Sequence, residues 1–177
     1  GQENLSEELL TGRGGKILTI ITKKTRYVDG QGNRFLVGTI RDITERKQAE
    51  EEAVAYRNFL DSVPGFGFAK DINLNYVFAN RTFCDLLKIP YDQIKGKTDY
   101  DIFPTDLAKK YIDDDKRVID IGKPLLVEEV TIDANMNQRI TVATRKHPWL
   151  DKKGNVIGVY GMGFDISEIK EVESALR

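Results

Sequence analysis

Few residues of this chain have side chains that commonly do chemistry, and their small number limits the reactions open to it. The 177 residues include one cysteine, Cys84, and one histidine, His147. A single cysteine excludes an internal disulfide and a paired-cysteine metal framework, and a single histidine would leave a zinc site dependent on carboxylates. The sequence contains no phosphate-binding glycine loop and no Ser/His/Asp arrangement. We therefore expect no catalytic residues and no metal site.

Three consecutive aspartates form the remaining cluster of chemically interesting residues. Asp113, Asp114 and Asp115 fall within a segment of helical character, and one of them shares a face with Tyr111. A solvated helix face is the ordinary role of such a run. A site for a divalent cation or for a cationic ligand is the alternative. The sequence leaves both readings open.

The composition is that of a soluble globular protein. Hydrophobic residues make up 40% of the chain, charged residues 31%, and the formal net charge is −1. That balance provides no attraction to nucleic acid or to an anionic membrane, and no apolar run is long enough to cross a bilayer. We expect a cytoplasmic chain, which leaves open a membrane attachment elsewhere in a longer parent protein.

Part of the sequence is repeated within the chain. The segment ILTIITKKTRYVDGQGNRFLVGTIRDITERK begins at Ile17, and the similar RITVATRKHPWLDKKGNVIGVYGMGFDISEIK begins at Arg139. Each copy has an alternating strand, a turn that contains Gly and Asn, and a second strand, which predicts a β-hairpin. A further short strand is expected before each hairpin, with Glu7 aligned to Glu129.

Both copies end where a strand is expected to lead into a helix. Asp29 aligns with Asp151 at an offset of 122 residues, but Asp42 aligns with Asp165 at 123, so the last strand of the second copy contains one additional residue. Each Asp-Ile-Thr/Ser-Glu sequence can cap the following helix through a capping box. We expect the junctions to transmit structural change, through Asp42, Thr44, Asp165, Ser167 and Glu168.

The residues between the two copies predict helices and two more strands. Residues 44–63 are rich in Glu and Ala and have an a/d seam, which fits a surface helix or a helix paired with a second chain. Short strands at 66–71 and 76–79 precede short helices and a long helix over 105–121. Three consecutive antiparallel strands after these helices predict an α+β fold with the helices on one face of a sheet.

The region from Tyr56 to Ile166 resembles a PAS domain. The resemblance lies in the strands that end at Asn80, the helix RTFCDLL, the segment GKTDYDIFP that begins at Gly96, and the closing GNVIGVYGMGFDISE. It implies a five-stranded antiparallel sheet that encloses a small pocket beneath helices. The first copy resembles only the C-terminal, or PAC, part of such a domain. We therefore divide the chain into a three-stranded partial PAS domain (1–43), a linker signalling helix (44–63), a complete PAS domain (64–166) and the start of an exit helix (167–177).

The resemblance also implies a sensory role in signal transduction. Such modules bind a small ligand or a partner and relay a conformational signal through their C-terminal helix to an effector in the same chain. A histidine kinase is the effector we expect. The alternatives are a diguanylate cyclase, a transcription regulator, or a dimerisation module without ligand. The fragment itself is not expected to be an enzyme.

Two cofactors found in PAS domains are not expected here. Flavin-binding photosensors use a cysteine in Asn-Cys-Arg-Phe-Leu-Gln, whereas Cys84 lies on the first helix in Asn-Arg-Thr-Phe-Cys-Asp. Haem-binding members offer a histidine from the long helix, whereas His147 lies late in a strand beside Pro148. We expect Cys84 to be a small buried hydrophobe and His147 a strand-end surface residue, and the identity of any cofactor stays unknown.

A pocket for a small molecule is expected between the sheet and the helices. Its candidate lining residues are mostly aromatic or aliphatic, and simple filling of the core is the alternative role for them. These candidates are Phe68, Tyr76, Phe78, Asn80, Phe83, Leu87, Tyr100, Phe103, Tyr111, Ile140, Val142 and Thr144.

The partial first domain has strands but no helices to cover them. Leu18, Ile20, Leu36 and Ile40 need burial against a partner chain, against the second domain, or through strand exchange. We therefore expect a homodimer or a strand-swapped assembly.

Overall fold

The computed structural model of the chain describes residues 3–132 and 139–176, which form two units, 1–56 and 57–177. Each unit has its own antiparallel sheet. None of the described helices is long and apolar enough to cross a membrane.

The first unit is a three-stranded sheet. Its strands are β1 (Glu3–Thr11), β2 (Ile17–Val28) and β3 (Arg34–Asp42), in that order across the sheet. The turn between β2 and β3 is held by Asp29, whose Oδ1 accepts hydrogen bonds from the backbone N–H groups of Gln31 and Asn33, both at 2.9 Å.

The strands of the first unit differ in exposure. Ile20 is buried and Leu18 is half-buried, whereas Leu36 and Ile40 in β3 are both 66% exposed. Every residue of β3 is exposed. The single chain therefore leaves an apolar strand face open to solvent.

A helix, α1 (Thr44–Ser62), follows β3 directly. It begins in the first unit and ends in the second, since the division between the units falls after Tyr56. None of its residues is buried.

The second unit has the architecture that the resemblance implies. A five-stranded antiparallel sheet with the order β5-β4-β8-β7-β6 is formed by β4 (Phe66–Asp71), β5 (Tyr76–Ala79), β6 (Leu125–Ile132), β7 (Arg139–Leu150) and β8 (Val156–Asp165). The helices are α2 (Arg81–Leu87), α3 (Tyr91–Ile94), α4 (Asp99–Ile102), α5 (Thr105–Ile121) and α6 (Ser167–Ala175). The predicted α+β fold is confirmed. Residue 177 of the predicted exit helix lies outside the described residues.

Polar side chains fix where the helices of the second unit begin. Asn80 caps α2, because its Oδ1 accepts hydrogen bonds from the N–H groups of Phe83 (3.0 Å) and Gly67 (2.9 Å). Thr98 and Asp101 form a reciprocal capping box at α4. These caps satisfy backbone donors that a helix leaves unpaired at its first turn.

The strand register locates the additional residue of the second copy. Trp149 pairs with Gly158 but Leu150 pairs with Val156, so Ile157 is the extra residue of a bulge in β8. The insertion predicted within the last strand is confirmed.

The register also corrects the alignment of the first strand. Glu8 pairs with Ile20, and Glu129 pairs with Val142, the residue that matches Ile20 in the repeat. Glu8 rather than Glu7 therefore corresponds to Glu129. The hairpin strands on their own could not reveal this shift, because pairing between strands sets the register.

Glycines let β8 lie very close to its neighbours. A Cβ atom at Gly158 would overlap the carbonyl oxygen of Lys70 in β4, and one at Gly163 would stand 2.6 Å from Val142 Cγ1. Glycine is therefore required by close packing at these positions, where no positive φ is involved.

Candidate functional site

Two lysines are buried beneath the helices of the second unit. Residues Phe66, Phe68 and Lys70 alternate along β4 onto one face of the strand. Lys70 is 1% exposed, and Lys146 of β7 is 2% exposed. Lysines are almost never fully buried unless they are paired, so each of them requires carboxylates nearby.

Lys70 is held by two carboxylates from two helices. Its Nζ lies 2.6 Å from Asp99 Oδ2 in α4 and 2.6 Å from Asp115 Oδ2 in α5. The hydroxyl of Tyr76 donates to the other oxygen of Asp99 at 2.7 Å. Burial, with the Asp99 carboxylate adding to it, raises the pKa of Tyr76 well above its usual value.

Lys146 extends the same group of charges towards β6. Its Nζ lies 2.8 Å from Asp115 Oδ1 and 3.3 Å from Glu129 Oε1, and it donates to the carbonyl of Tyr111 at 3.3 Å. Within the described part of the chain neither oxygen has a hydrogen-bond partner, so the two carboxylate contacts are ion pairs without hydrogen-bond geometry. We call Lys70, Lys146, Asp99, Asp115 and Glu129 the ionic cluster.

Burial and charge act in opposite directions within this cluster. Burial raises the pKa of Asp115, but the charges of Lys70 and Lys146 outweigh it and hold the pKa below the usual range. At Glu129 burial prevails over the attraction of Lys146, and the pKa is raised. Burial lowers the pKa of Lys146, yet Asp115 and Glu129 leave it raised overall. Glu129 is thus the least well compensated carboxylate.

A cavity of about 50 Å³ adjoins the ionic cluster. Aromatic rings form much of its wall, and those of Phe103 and Tyr111 meet edge to face at 5.1 Å between centroids. The complete lining is Phe66, Phe68, Lys70, Tyr76, Phe83, Leu86, Asp99, Phe103, Tyr111, Glu129, Thr131, Val142, Thr144, Lys146 and Gly163.

Seven of the twelve predicted pocket residues line this cavity. They come from β4, β5 and β7, from α2 and α5, and from the residue that follows α4, and they are Phe68, Tyr76, Phe83, Phe103, Tyr111, Val142 and Thr144.

The other five candidates lie elsewhere. Asn80 is buried as the cap of α2, Leu87 packs in the apolar core, and Ile140 is buried without lining the cavity. Tyr100 is exposed. Phe78 lies beneath the guanidinium of Arg57, 4.9 Å from the ring centroid.

The charged residues of the cavity were missed at the level of sequence. Lys70 and Lys146 sit at inward positions of alternating strands, and that pattern is the signal that could have found them. Asp115 was considered either a solvated residue or part of a cation site. It is fully buried, and the cations it binds are lysine side chains of the same chain.

Cys84 and His147 are both absent from the cavity lining. Cys84 is half-buried beside the apolar core, and burial raises the pKa of its thiol. His147 is half-buried and stacks on Tyr160, with 5.3 Å between ring centroids. No group of three or more His, Cys, Asp or Glu side chains within residues 3–132 and 139–176 is arranged to hold a metal ion.

The two strand-to-helix junctions use the same hydrogen bonds. Thr44 Oγ1 accepts from the N–H of Thr19 at 2.9 Å, and Ser167 Oγ accepts from the N–H of Thr141 at 3.0 Å. Thr19 and Thr141 occupy equivalent positions in the repeat. The hydroxyl side chain therefore bonds the start of each helix to the strand that pairs with the preceding one, which is β2 in the first sheet and β7 in the second.

The aspartates of the junctions act differently from the expected caps. Asp42 Oδ1 and Asp165 Oδ1 accept from the N–H of Thr44 and Ser167, both at 2.9 Å, which is a turn rather than a helix cap. At α6 the N-cap position is Ile166, which has no capping side chain. The capping box predicted for Asp165 and Glu168 is therefore wrong, because the helix begins one residue too late for it.

Comparison with known proteins places this architecture in a family. Residues 60–171 match the family described as the PAS fold. Among solved structures, the PAS domain of BvgS from Bordetella pertussis has a TM-score of 0.54 at 18% identity and covers 74% of this chain and 97% of its own. The phage VqmA–DPO complex has a TM-score of 0.57 at 23% identity, covering 76% and 61%. These structures establish similarity of fold alone.

Two of the curated relatives are a histidine kinase and a diguanylate cyclase. The methanogenesis regulatory histidine kinase FilI of Methanothrix harundinacea is 26% identical over 80% of this chain and 18% of its own length. A diguanylate cyclase of Vibrio cholerae is 31% identical over 66% of this chain and 37% of its own length. The chain thus spans well under half of these relatives.

Proposed function

Because this chain belongs to the PAS-fold family, we propose that it is a sensory module that binds a small ligand in the cavity beside the ionic cluster and relays the change through Ser167 into α6. The observation that carries the proposal is the buried ionic cluster, four of whose five charged side chains line the cavity: Lys70, Asp99, Glu129 and Lys146. Membership of the PAS-fold family supports the sensory role. The binding of a ligand and the relay through Ser167 are our proposals.

The free-energy cost of burying the ionic cluster supports a binding role. Taking charges out of water costs several kcal/mol per ion, and apolar side chains of similar volume often serve stability as well or better. A sheet that needed only a core could bury apolar residues at Lys70 and Lys146. Charged and hydrogen-bonding groups beside an apolar wall are instead the usual composition of a ligand site.

Strand β7 connects the cavity to the exit helix. It contributes Val142, Thr144 and Lys146 to the lining, and the Thr141 N–H at its start bonds to Ser167. A ligand that moves β7 therefore acts on the first residue of α6 through one hydrogen bond. Lys170 of α6 also lies 2.9 Å from Glu128 in β6.

The effector in our proposal lies in the same parent chain and is a histidine kinase. The name of the similar FilI protein, a histidine kinase, supports this choice. The similar diguanylate cyclase supports the alternative effector. This fragment would supply the sensing, and the effector the catalysis.

The relay is tested by replacing Ser167 with Ala in the full-length protein. We expect the ratio of stimulated to basal effector output to fall about tenfold towards unity, since a coupling of about 1.4 kcal/mol corresponds to that factor. Ser174→Ala, an exposed substitution on the same helix, is the matched control. An unchanged ratio in Ser167→Ala would contradict the relay.

We also propose that the chain associates with itself through its first unit. Leu36 and Ile40 are strongly exposed on one face of β3, and Leu5 and Leu9 are strongly exposed on the opposite face of the same sheet. Exposed apolar side chains grouped on a strand mark interaction sites. A homodimer or a strand-swapped assembly would bury them.

A further inference from the structure

The ionic cluster has one more carboxylate than it has ammonium groups, and the cavity lies beside this excess. Resting on the proposed function, we propose that the cavity takes a small monocation with N–H donors, of the class of short primary alkylammonium ions. Three features of the cavity select this class over anions.

The first feature is an oxygen atom that lacks a hydrogen bond. Glu129 lines the cavity and is 7% exposed, yet its Oε1 has no hydrogen-bond partner among the described residues. Its nearest cation, Lys146 Nζ, stands 3.3 Å away. Buried acceptors in native proteins nearly always have a donor, so the geometry calls for one supplied from the cavity.

The second feature is the sign of the charge. Asp99, Asp115 and Glu129 contribute three negative charges, and Lys70 with Lys146 contributes two positive ones. Burial raises the pKa of Glu129, so the excess negative charge exists above that pKa, where the carboxylate is ionised. A bound cation restores neutrality, whereas an anion would add to the excess.

The third feature is the aromatic wall. Lys70 Nζ already lies 4.7 Å from the ring centroid of Tyr76 and 5.3 Å from that of Phe68, so this wall holds one ammonium group in the chain itself. Phe83, Phe103 and Tyr111 line the rest of the cavity. Aromatic ring faces attract ammonium ions, and the rings would also accept the alkyl part.

The size of the cavity admits a ligand of this class. A volume of about 50 Å³ is several times the roughly 10–15 Å³ that a cavity needs to hold one water molecule. Methylammonium therefore fits within that space. Tetramethylammonium has the same charge but no N–H group, so it is the matched control ligand.

The experiment titrates the purified chain with methylammonium chloride at constant ionic strength, followed by methyl ¹H–¹³C spectra. We expect saturable shifts of the Val142 and Thr144 methyl signals, which report the cavity, and none for the exposed Val54 on α1. Tetramethylammonium chloride and sodium acetate should leave all of them unchanged. In Glu129→Gln we expect affinity for methylammonium to fall at least tenfold, with folding checked by circular dichroism.

The outcomes separate this inference from the proposed function. Saturable binding of acetate in place of methylammonium would overturn the monocation class but leave a ligand pocket. Absence of binding by methylammonium, or equal binding by Glu129→Gln, would also overturn the class. The Ser167→Ala measurement tests the relay independently, because it needs only the native stimulus of the full-length protein.

Discussion

The two buried carboxylates Asp115 and Glu129 differ in the cations that they contact. Asp115 receives both lysines, one on each carboxylate oxygen, and so joins β4 to β7 beneath α5. Glu129 has one distant cation and remains undercompensated. A buried carboxylate therefore stabilises the fold at one position and carries a cost at another, because the number and distance of its cationic partners differ.

The pH dependence of stability should reveal the cost at Glu129. Its raised pKa means that the folded chain binds a proton more tightly than the unfolded chain does. The free energy of unfolding should therefore fall as pH rises from the usual glutamate value of 4.5 through the raised pKa. Asp115, with its lowered pKa, has the opposite sign, and its contribution is lost as pH falls below the usual aspartate value of 3.8.

Urea unfolding of Glu129→Gln across this pH range measures the effect. The variant should lose the decline above pH 4.5, because glutamine does not titrate, while Asp115, Lys146 and Tyr111 still face the site. Glu128→Gln, at the exposed neighbouring position, should keep the wild-type profile. Identical slopes in wild type and Glu129→Gln would show that Glu129 titrates normally.

At the scale of elements, β8 is the strand that most constrains the second sheet. It pairs with both β4 and β7, and its glycines admit the backbone and side chains of those neighbours. The bulge at Ile157 adds a residue before Gly158. The close approach at Gly158 involves backbone of β4 next to Lys70, so β8 also helps to position the ionic cluster.

Gly158→Ala should destabilise the domain by about 2 kcal/mol or more. The added Cβ would overlap the Lys70 carbonyl, which belongs to the backbone and cannot rotate away, and overpacking of this kind typically costs about 1–3 kcal/mol. Gly30→Ala is the control, since that turn glycine has open space around its Cβ position and no positive φ. Calorimetry measures the melting temperature of each variant against the wild type. If the two variants had equal melting temperatures, the close approach of β8 to β4 at Gly158 would be contradicted.

At the scale of the whole molecule, the first unit leaves apolar side chains exposed to solvent. Its β3 strand is exposed along its full length, whereas the equivalent β8 of the second unit is flanked by β4 and β7. An exposed edge with apolar side chains favours pairing with another chain. Self-association is the simplest way for this chain to cover that strand.

Light scattering of the purified chain tests self-association. We expect twice the chain mass of 20.1 kDa for the wild type and the single chain mass for the Leu36→Glu, Ile40→Glu double variant, because charge at an apolar interface is costly. Thr39→Glu, at an exposed polar position of the same strand, should remain dimeric. A wild type that stays monomeric at all concentrations would rule the dimer out.

The sequence by itself determined the elements and their repetition. Alternating residues, glycine turns and the two Asp-Ile-Thr/Ser-Glu segments are local signals, so the hairpins, the helix after Asn80 and the inserted residue of β8 could all be predicted. Local patterns also placed seven aromatic, aliphatic and hydroxyl residues of the cavity, since inward positions follow strand and helix periods.

Only the tertiary structure decided which charges meet. Lys70 and Asp115 are 45 residues apart in the sequence. No local pattern indicates that α5 packs over β4 so that these two side chains form an ion pair. The start of α6 at Ser167 rather than Ile166 likewise depends on the hydrogen bond from Thr141 in another strand. Strand pairing, register and charge compensation depend on residues that are distant in the sequence. For this reason the sequence predicted an apolar pocket, whereas the structure has a cavity beside buried charged side chains.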